Sequence, residues 1–315
     1  YQNYEFIDAK VIEKINGNKI NFTFEIEDTE KLYVNKINIL GNNITSEKFI
    51  RDQLIVDEGD PFNKILHNKS INNLRSKNLF ANVKSNIIDT ENSDQKDIDI
   101  IIEEKPTGEV MAGAGYGTDG STFSVGVREN NFKGEGINLN TKLSLTEQTV
   151  KGFFEYTHPN FAYSDRSLST SLESSVTDKL TDFGYKSSLN KVSLGTRYEQ
   201  FENTFFSPRL SISSEELDTT STASAAYKKQ EGSYFDTTFD YGLTLDKRNS
   251  AYQPSSGFYS SWFQQLPIIS ENQTIVNGYT ITGYKEIADD MIISSGIYSR
   301  AINSLTNDDV RVSKR

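Results

Sequence analysis

The sequence predicts a small α/β domain of order β-α-α-β-β followed by a long antiparallel transmembrane β-barrel. Three observations carry this. Up to about Lys105 the chain mixes helical and strand periodicity, whereas beyond it nearly every segment alternates with a period of two between turn residues. Hydrophobic residues are 35% of the chain, yet aromatics reach 11%. Disordered chains are poor in aromatics; many strands with one apolar and one wet face give this balance. No run approaches the roughly 18 apolar residues that a membrane-spanning helix needs.

The first elements come as a pair of strands. Ile20-Asn21-Phe22-Thr23-Phe24-Glu25-Ile26 alternates apolar and polar, and Phe6-Ile7-Asp8-Ala9-Lys10-Val11 precedes it. The pair recurs as Phe80-Ala81-Asn82-Val83-Lys84-Ser85 and Ile98-Asp99-Ile100-Ile101-Ile102, at spacings of 74 and 76 positions. The result is an internal repeat of about 75 residues whose first copy is cut short. The expected boundaries are residues 1–30 for the tail of one repeat, 31–106 for a complete repeat and 107–315 for the barrel.

Within the complete repeat, Val34 to Leu40 reads as a strand ended by Gly41-Asn42-Asn43. Thr45 or Ser46 caps a short helix carrying Phe49, Ile50 and Leu54 on one side. Glu58-Gly59-Asp60-Pro61 breaks it, and a second helix over Asn63 to Lys77 places His67, Ile71 and Leu74 at helical spacing. A three-stranded sheet under two helices buries a small core at this length and leaves an exposed edge for a partner strand.

In the second part, Phe235, Thr237, Phe239, Tyr241, Leu243 and Leu245 alternate with Asp236, Thr238, Asp240, Gly242, Thr244 and Asp246. A soluble sandwich would show the same alternation. A membrane barrel is favoured by the number of long successive strands and by aromatics placed toward strand ends, Tyr116, Tyr156, Tyr198, Phe258 and Trp262. About eleven barrel strands are readable between Glu109 and Ser304, with Asp289-Asp290 and Asp308-Asp309 as turns. Eleven is odd, single-chain bacterial barrels are even, and both termini break off mid-pattern, so the sequence reads as a fragment.

Composition excludes several functions. A net charge of -11 with no basic stretch argues against nucleic acid. The absence of cysteine removes disulfides, thiolate metal sites and cysteine nucleophiles. His67 and His158 are the only histidines and fall in different domains, without a grouped nucleophile and acid. Asp97, Asp99, Glu103 and Glu104 read as the wet face of a strand rather than a metal cluster. No glycine-rich loop precedes a helix. The chain is therefore expected to be no enzyme, with no catalytic residue, no metal and no cofactor.

Two groups of residues resemble known families. Asn38-Ile39-Leu40-Gly41-Asn42, Phe49-Ile50-Arg51, Glu58-Gly59-Asp60 and Asn78-Leu79-Phe80-Ala81-Asn82-Val83 resemble a POTRA domain. Glu104-Lys105-Pro106-Thr107-Gly108, Gly113-Ala114-Gly115-Tyr116-Gly117 and Glu129-Asn130-Asn131-Phe132-Lys133-Gly134-Glu135-Gly136 resemble the start of an Omp85 barrel of the assembly-factor type. Tyr156-Thr157-His158-Pro159-Asn160-Phe161, Asp246-Lys247-Arg248-Asn249 and Pro254-Ser255-Ser256-Gly257 follow in matching order, so the resemblance covers nearly the whole chain.

That resemblance implies the end of a fourth POTRA domain, a complete fifth, and most of a barrel of about sixteen strands. It implies a central part of the machinery that folds and inserts β-barrel proteins into the outer membrane, with POTRA domains in the periplasm. The partners implied are the lipid bilayer, unfolded outer-membrane clients and accessory lipoproteins. In that family the first and last barrel strands pair weakly as a lateral gate. The first strand here spans about Glu109 to Thr118, with Val110, Gly113, Gly115, Tyr116 and Gly117 in it. Its glycines either soften the edge or only relieve crowding in the wall. Arg51 and Glu58 match positions that contact a helical-repeat lipoprotein, although Glu58 reads equally as a solvated turn carboxylate. An Arg-Gly-aromatic loop motif is expected beyond Arg315. The alternative is a sibling Omp85 translocator of the two-partner-secretion type, exporting a soluble client; a passive porin would lack the repeated domain.

Overall fold

The computed structural model describes residues 7–16, 19–28, 31–117, 120–164, 166–250, 254–288, 291–306, 309–311 and 314. The expected turns at Asp289-Asp290 and at Asp308, and Thr118 of the first barrel strand, lie outside these residues. The chain forms two compact units, one of Tyr1–Thr107 with Asn130–Gly136 and one of Gly108–Glu129 with Ile137–Arg315.

In the first unit, β1 (Ile7–Asn16) and β2 (Lys19–Asp28) form an antiparallel hairpin. Then come β3 (Tyr33–Leu40), α1 (Glu47–Arg51), α2 (Lys64–Ser76), β4 (Phe80–Asp89) and β5 (Gln95–Glu104). Their sheet has the order β3-β5-β4, with β5 parallel to β3 and antiparallel to β4. The parallel step needs a crossover, and the two helices supply it.

Sequence chemistry explains both helix starts. Ser46 is the cap of α1, its Oγ accepting from Phe49 N–H at 3.2 Å. Asn63 caps α2 by accepting from the Ile65 and Leu66 N–H groups. The first helix stops at Arg51, so Leu54 reaches the core from the turn after it rather than from the expected helix face. Phe49, Ile50, Ile71 and Leu74 pack on Val34, Ile37, Val83, Ile98, Ile100 and Ile102. Ile50 and Leu74 are fully buried, and truncating either to alanine costs about 2–5 kcal/mol.

The second unit is an antiparallel meander of β6 (Gly108–Gly117), β7 (Gly120–Phe132), β8 (Ile137–Thr146), β9 (Thr149–His158), β10 (Ser167–Lys179), β11 (Tyr185–Phe201), β12 (Thr204–Thr219), β13 (Gly232–Asp246), β14 (Ser256–Ile269), β15 (Thr274–Ala288) and β16 (Met291–Ser304). Each strand hydrogen-bonds to its sequence neighbours, in one eleven-stranded sheet that ends on β6 and β16. These strands are 10 to 17 residues long, enough to cross a bilayer at a tilt.

Candidate functional site

The direction of the alternation separates a membrane sheet from a soluble one. On β13, Asp236 and Asp240 are each 4% exposed, whereas Phe235 is 54% and Leu243 41% exposed. The neighbouring strands agree: Ser193 and Ser211 are buried while Val192, Leu194, Leu210 and Ile212 are exposed. A soluble sandwich buries the apolar face; this sheet turns it outward, as lipid-facing strands do.

Much of the polar face is bonded within itself, while among the described residues the Arg311 Nε and Nη1 atoms are buried without a hydrogen bond. Ser211 Oγ lies 3.0 Å from Ser193 Oγ and 3.1 Å from Asp240 Oδ2, and Thr238 donates to Asp240 Oδ1 at 3.0 Å. Gln265 donates to the Thr238 hydroxyl at 3.0 Å. Arg311 joins this face: Nη1 lies 3.1 Å from Glu215 and Nη2 pairs with Asp236, which Lys314 also reaches at 3.0 Å. Such a network is needed because buried charges are costly unless paired.

On the outer face, aromatic rings cross four strands in a row. Tyr198 and Phe206 are 5.8 Å apart, Phe206 and Tyr241 6.3 Å, and Tyr241 and Trp262 5.4 Å, edge to face. Tyr116, Tyr156, Tyr198 and Phe258 stand near strand ends, but Trp262 sits in the middle of β14, a correction to its expected place. Its ring packs on Tyr241 across the β13–β14 ladder, which a reading of spacing alone could not supply.

The edge strand β6 carries Val110, Gly113, Gly115, Tyr116 and Gly117, and every residue of it is exposed, Tyr116 to 86%. Added Cβ atoms at Gly115 and Gly117 would meet nothing within 4 Å among the described residues; one at Gly113 would meet only the Ser124 hydroxyl, at 3.2 Å. Within these eleven strands crowding therefore does not account for Gly115 or Gly117. What remains is a strand with few side chains to pack against a neighbour.

In the α/β unit the structure brings Arg51 and Glu58 together on the outer edge of β3. Glu58 Oε1 accepts from Ile37 N–H at 2.9 Å, Arg51 Nη2 donates to Ile37 O at 2.8 Å, and the two side chains approach to 3.4 Å. Beside them the Gly59 N–H donates to Val34 O, Val34 N–H to Asp60 O, and Phe62 N–H to Leu32 O. The β3 edge is thus covered, and the edge left for strand addition is β4, where Lys84–Asp89 is largely exposed. The Ile37 N–H holds the Glu58 carboxylate below its ordinary value, with Arg51 reinforcing it. Hydrogen bonding to Glu47 raises Arg51.

His67 is buried, with Nε2 2.8 Å from Ser85 Oγ, and burial lowers its pKa. It ties α2 to β4. Asp97 and Asp99 accept from Asn35 and Asn38 side chains at 2.7 and 2.8 Å, a ladder on the strand's wet face. Glu104 departs from that face. Its carboxylate accepts from the N–H groups of Asn43, Ile44 and Thr45 at 3.0, 2.8 and 2.6 Å. Burial alone would raise its pKa; bonds from the Thr45 side chain and the three backbone groups outweigh it, and the carboxyl lies low. Period-two alternation sets Glu104 on the face of Ile98, Ile100 and Ile102, away from Glu103, a signal that the reading of all four acids as one wet face passed over.

The Omp85 superfamily domain model matches residues 131–315. The POTRA model, described as a surface antigen variable number repeat, matches residues 32–105. The outer membrane protein assembly factor BamA of Neisseria meningitidis is 28% identical over 167 residues, 52% of this chain and 21% of that protein. BamA of Nitratidesulfovibrio vulgaris is 20% identical over 98% of this chain and 39% of its own length. The chain thus spans about a fifth to two fifths of these curated relatives. Among solved structures, BamA from Haemophilus ducreyi lacking POTRA domains 1-3 superposes with a TM-score of 0.72 at 20% identity, over 99% of this chain and 64% of that one. CdiB from Escherichia coli gives 0.59 at 12% identity, over 96% and 59%. At these identities the likeness is one of fold: a POTRA domain and a large antiparallel sheet matching the BamA barrel.

Proposed function

The chain belongs to the Omp85 superfamily, and on that premise we propose that it is the barrel-proximal part of an outer-membrane assembly factor that folds and inserts β-barrel proteins. The single observation carrying this is the outward apolar face of the sheet, ending on the exposed glycine strand β6. It lies in the cell outer membrane, with its POTRA domain in the periplasm. In this reading the hairpin β1–β2 is the tail of a preceding POTRA domain, residues 31–106 are one complete POTRA domain, and residues 107–315 belong to the barrel.

The work is strand templating, not bond chemistry. An unfolded client arrives as an extended chain with unpaired backbone groups, which cannot enter hydrocarbon until they are bonded. The β6 edge offers such a ladder at the membrane. Val110, Gly113, Gly115, Tyr116 and Gly117 form the first strand of a lateral gate, soft enough for a client strand to replace its native neighbour. The β4 edge offers a second site for strand addition in the periplasm. Arg51 and Glu58 serve an accessory lipoprotein from the β3 edge, where each keeps part of its side chain in solvent. No cofactor, metal or nucleic acid takes part, and the chain is not an enzyme.

The fold likeness to CdiB supports a second reading, export of a soluble client by a sibling translocator. Depletion in the source bacterium separates the two. Loss of many different outer-membrane barrels is expected for insertion; normal barrel assembly with loss of one exported protein would select the translocator.

A further inference from the structure

The last residues of β7, Asn130–Phe132, and the Lys133–Gly136 link to β8 fold as part of the α/β unit. The loop Gly41–Ser46 of that unit grips them. Ser46 N–H donates to Gly134 O at 2.8 Å, and Asn131 Nδ2 donates to Thr45 Oγ1 at 2.9 Å. Thr45 and Asn131 are both buried. Asn131 Oδ1 accepts from Gly136 N–H at 2.8 Å, closing the turn on itself. Gly134 and Gly136 have φ of +73° and +64°, and a Cβ on them would stand 2.1 Å from Ile44 O and 2.2 Å from the Phe49 ring. Glycine alone permits both the backbone angle and this approach.

The gripping loop has no regular structure of its own, and Glu104 shapes it. Three successive backbone N–H groups converge on its carboxylate, an arrangement that suits an anion and is filled here by the protein itself. The Thr45 hydroxyl also bonds this carboxylate while accepting from Asn131. A relay therefore runs from the Asn131 amide through the Thr45 hydroxyl to Glu104. The ladder between β6 and β7 begins next to it, at the Gly108–Glu129 pair, and Asn130 Nδ2 donates to Thr107 O at 3.1 Å.

We propose that Glu104 is a positioning residue that builds the loop Gly41–Ser46 into a socket for the β7–β8 turn, so that the POTRA domain is coupled to strands β6–β8 through that turn as well as through the Thr107–Gly108 link. A load placed on the POTRA domain then reaches the glycine edge strand by way of β7. The inference concerns the mechanics of the chain and stands for either client class.

Hydrogen exchange read by mass spectrometry on the full-length protein in lipid nanodiscs tests it, with Glu104→Gln, Thr45→Val and Gly136→Ala. A carboxamide offers one acceptor oxygen in place of two, so in Glu104→Gln the amides of residues 43–45 lose protection. The coupled result is that peptides covering residues 130–136 also exchange about fivefold to tenfold faster, the effect of one lost hydrogen bond, while the α2 peptide is unchanged. Thr45→Val keeps the volume, cuts the relay, and loosens the same turn. Coupling is reciprocal, so Gly136→Ala speeds exchange in residues 43–46. Unchanged exchange of the turn in Thr45→Val overturns the proposal even if Glu104→Gln unfolds the domain. An unaltered loop in Gly136→Ala overturns it as well.

Discussion

Replacing Glu58 with alanine separates its role inside the α/β unit from any role toward a partner. The substitution leaves Ile37 N–H without its acceptor at 2.9 Å and removes the carboxylate 3.4 Å from Arg51. A hydrogen bond to a charged group contributes about 1.5–3 kcal/mol when buried. The Glu58 side chain is 43% exposed, so water takes over part of that bond and about 1 kcal/mol remains. The ion pair, also partly solvated, adds about 0–1 kcal/mol. The sum is about 1–2 kcal/mol, a fall in melting temperature of roughly 5–12 °C for a domain this small. Because the folded carboxyl lies below its unfolded value of 4.5, this contribution is complete above that pH and disappears as acid titrates the folded form. Thermal unfolding of the α/β unit by circular dichroism, from neutral pH downward, measures it. A Glu58→Ala variant that melts with the native protein at pH 7, or a gap that fails to narrow in acid, refutes the reasoning.

Other substitutions probe other parts. Leu243→Arg places a charge on the outward face and is expected to cost about 2–4 kcal/mol if the site is near the bilayer midplane, read by urea unfolding in vesicles; Leu243→Phe keeps the face apolar and costs under about 1.5 kcal/mol. Gly115→Val has open space for its side chain and raises strand propensity by at most about 1 kcal/mol. It is expected to slow client insertion into proteoliposomes severalfold while the barrel's own folding, seen by gel mobility, is unchanged. Burial lowers the His67 pKa below its unfolded value of 6.5, so the unfolded state binds more protons and stability falls as pH drops below 6.5. Denaturant unfolding of the α/β unit between pH 7.5 and 5 is expected to lose that slope in His67→Gln.

Most of the architecture was legible because it rests on periodicity. Period-two patterning gave the eleven strands, and a Thr45 or Ser46 cap marked the first helix start, where Ser46 is the cap; the second helix was placed from Asn63, which proves to be its cap. The sign of the alternation was not legible: Phe235 and Asp236 occupy opposite faces in a sandwich and in a barrel alike, and only burial tells which faces in. The glycine edge was visible as composition, but whether Gly115 and Gly117 relieve a clash depends on the atoms around them. Arg51 and Glu58 were picked out by resemblance, whereas their bonds to Ile37 follow from the fold. Glu104 and the Asn130–Gly136 turn escaped notice as a pair, since their link crosses from one end of β5 to residues some 26 positions on and leaves no local pattern.

The chain contains no cysteine, so single cysteines can be placed along β13 without background. In the full-length protein in lipid vesicles, cysteines at Phe235, Phe239 and Leu243 are expected to resist a water-soluble maleimide and to be quenched, once labelled, by a quencher carried on lipid chains. Cysteines at Asp236, Asp240 and Thr244 are expected to react with the maleimide and escape lipid quenching. The opposite phase, or reactivity with no period of two, would contradict a membrane sheet with its apolar face turned outward.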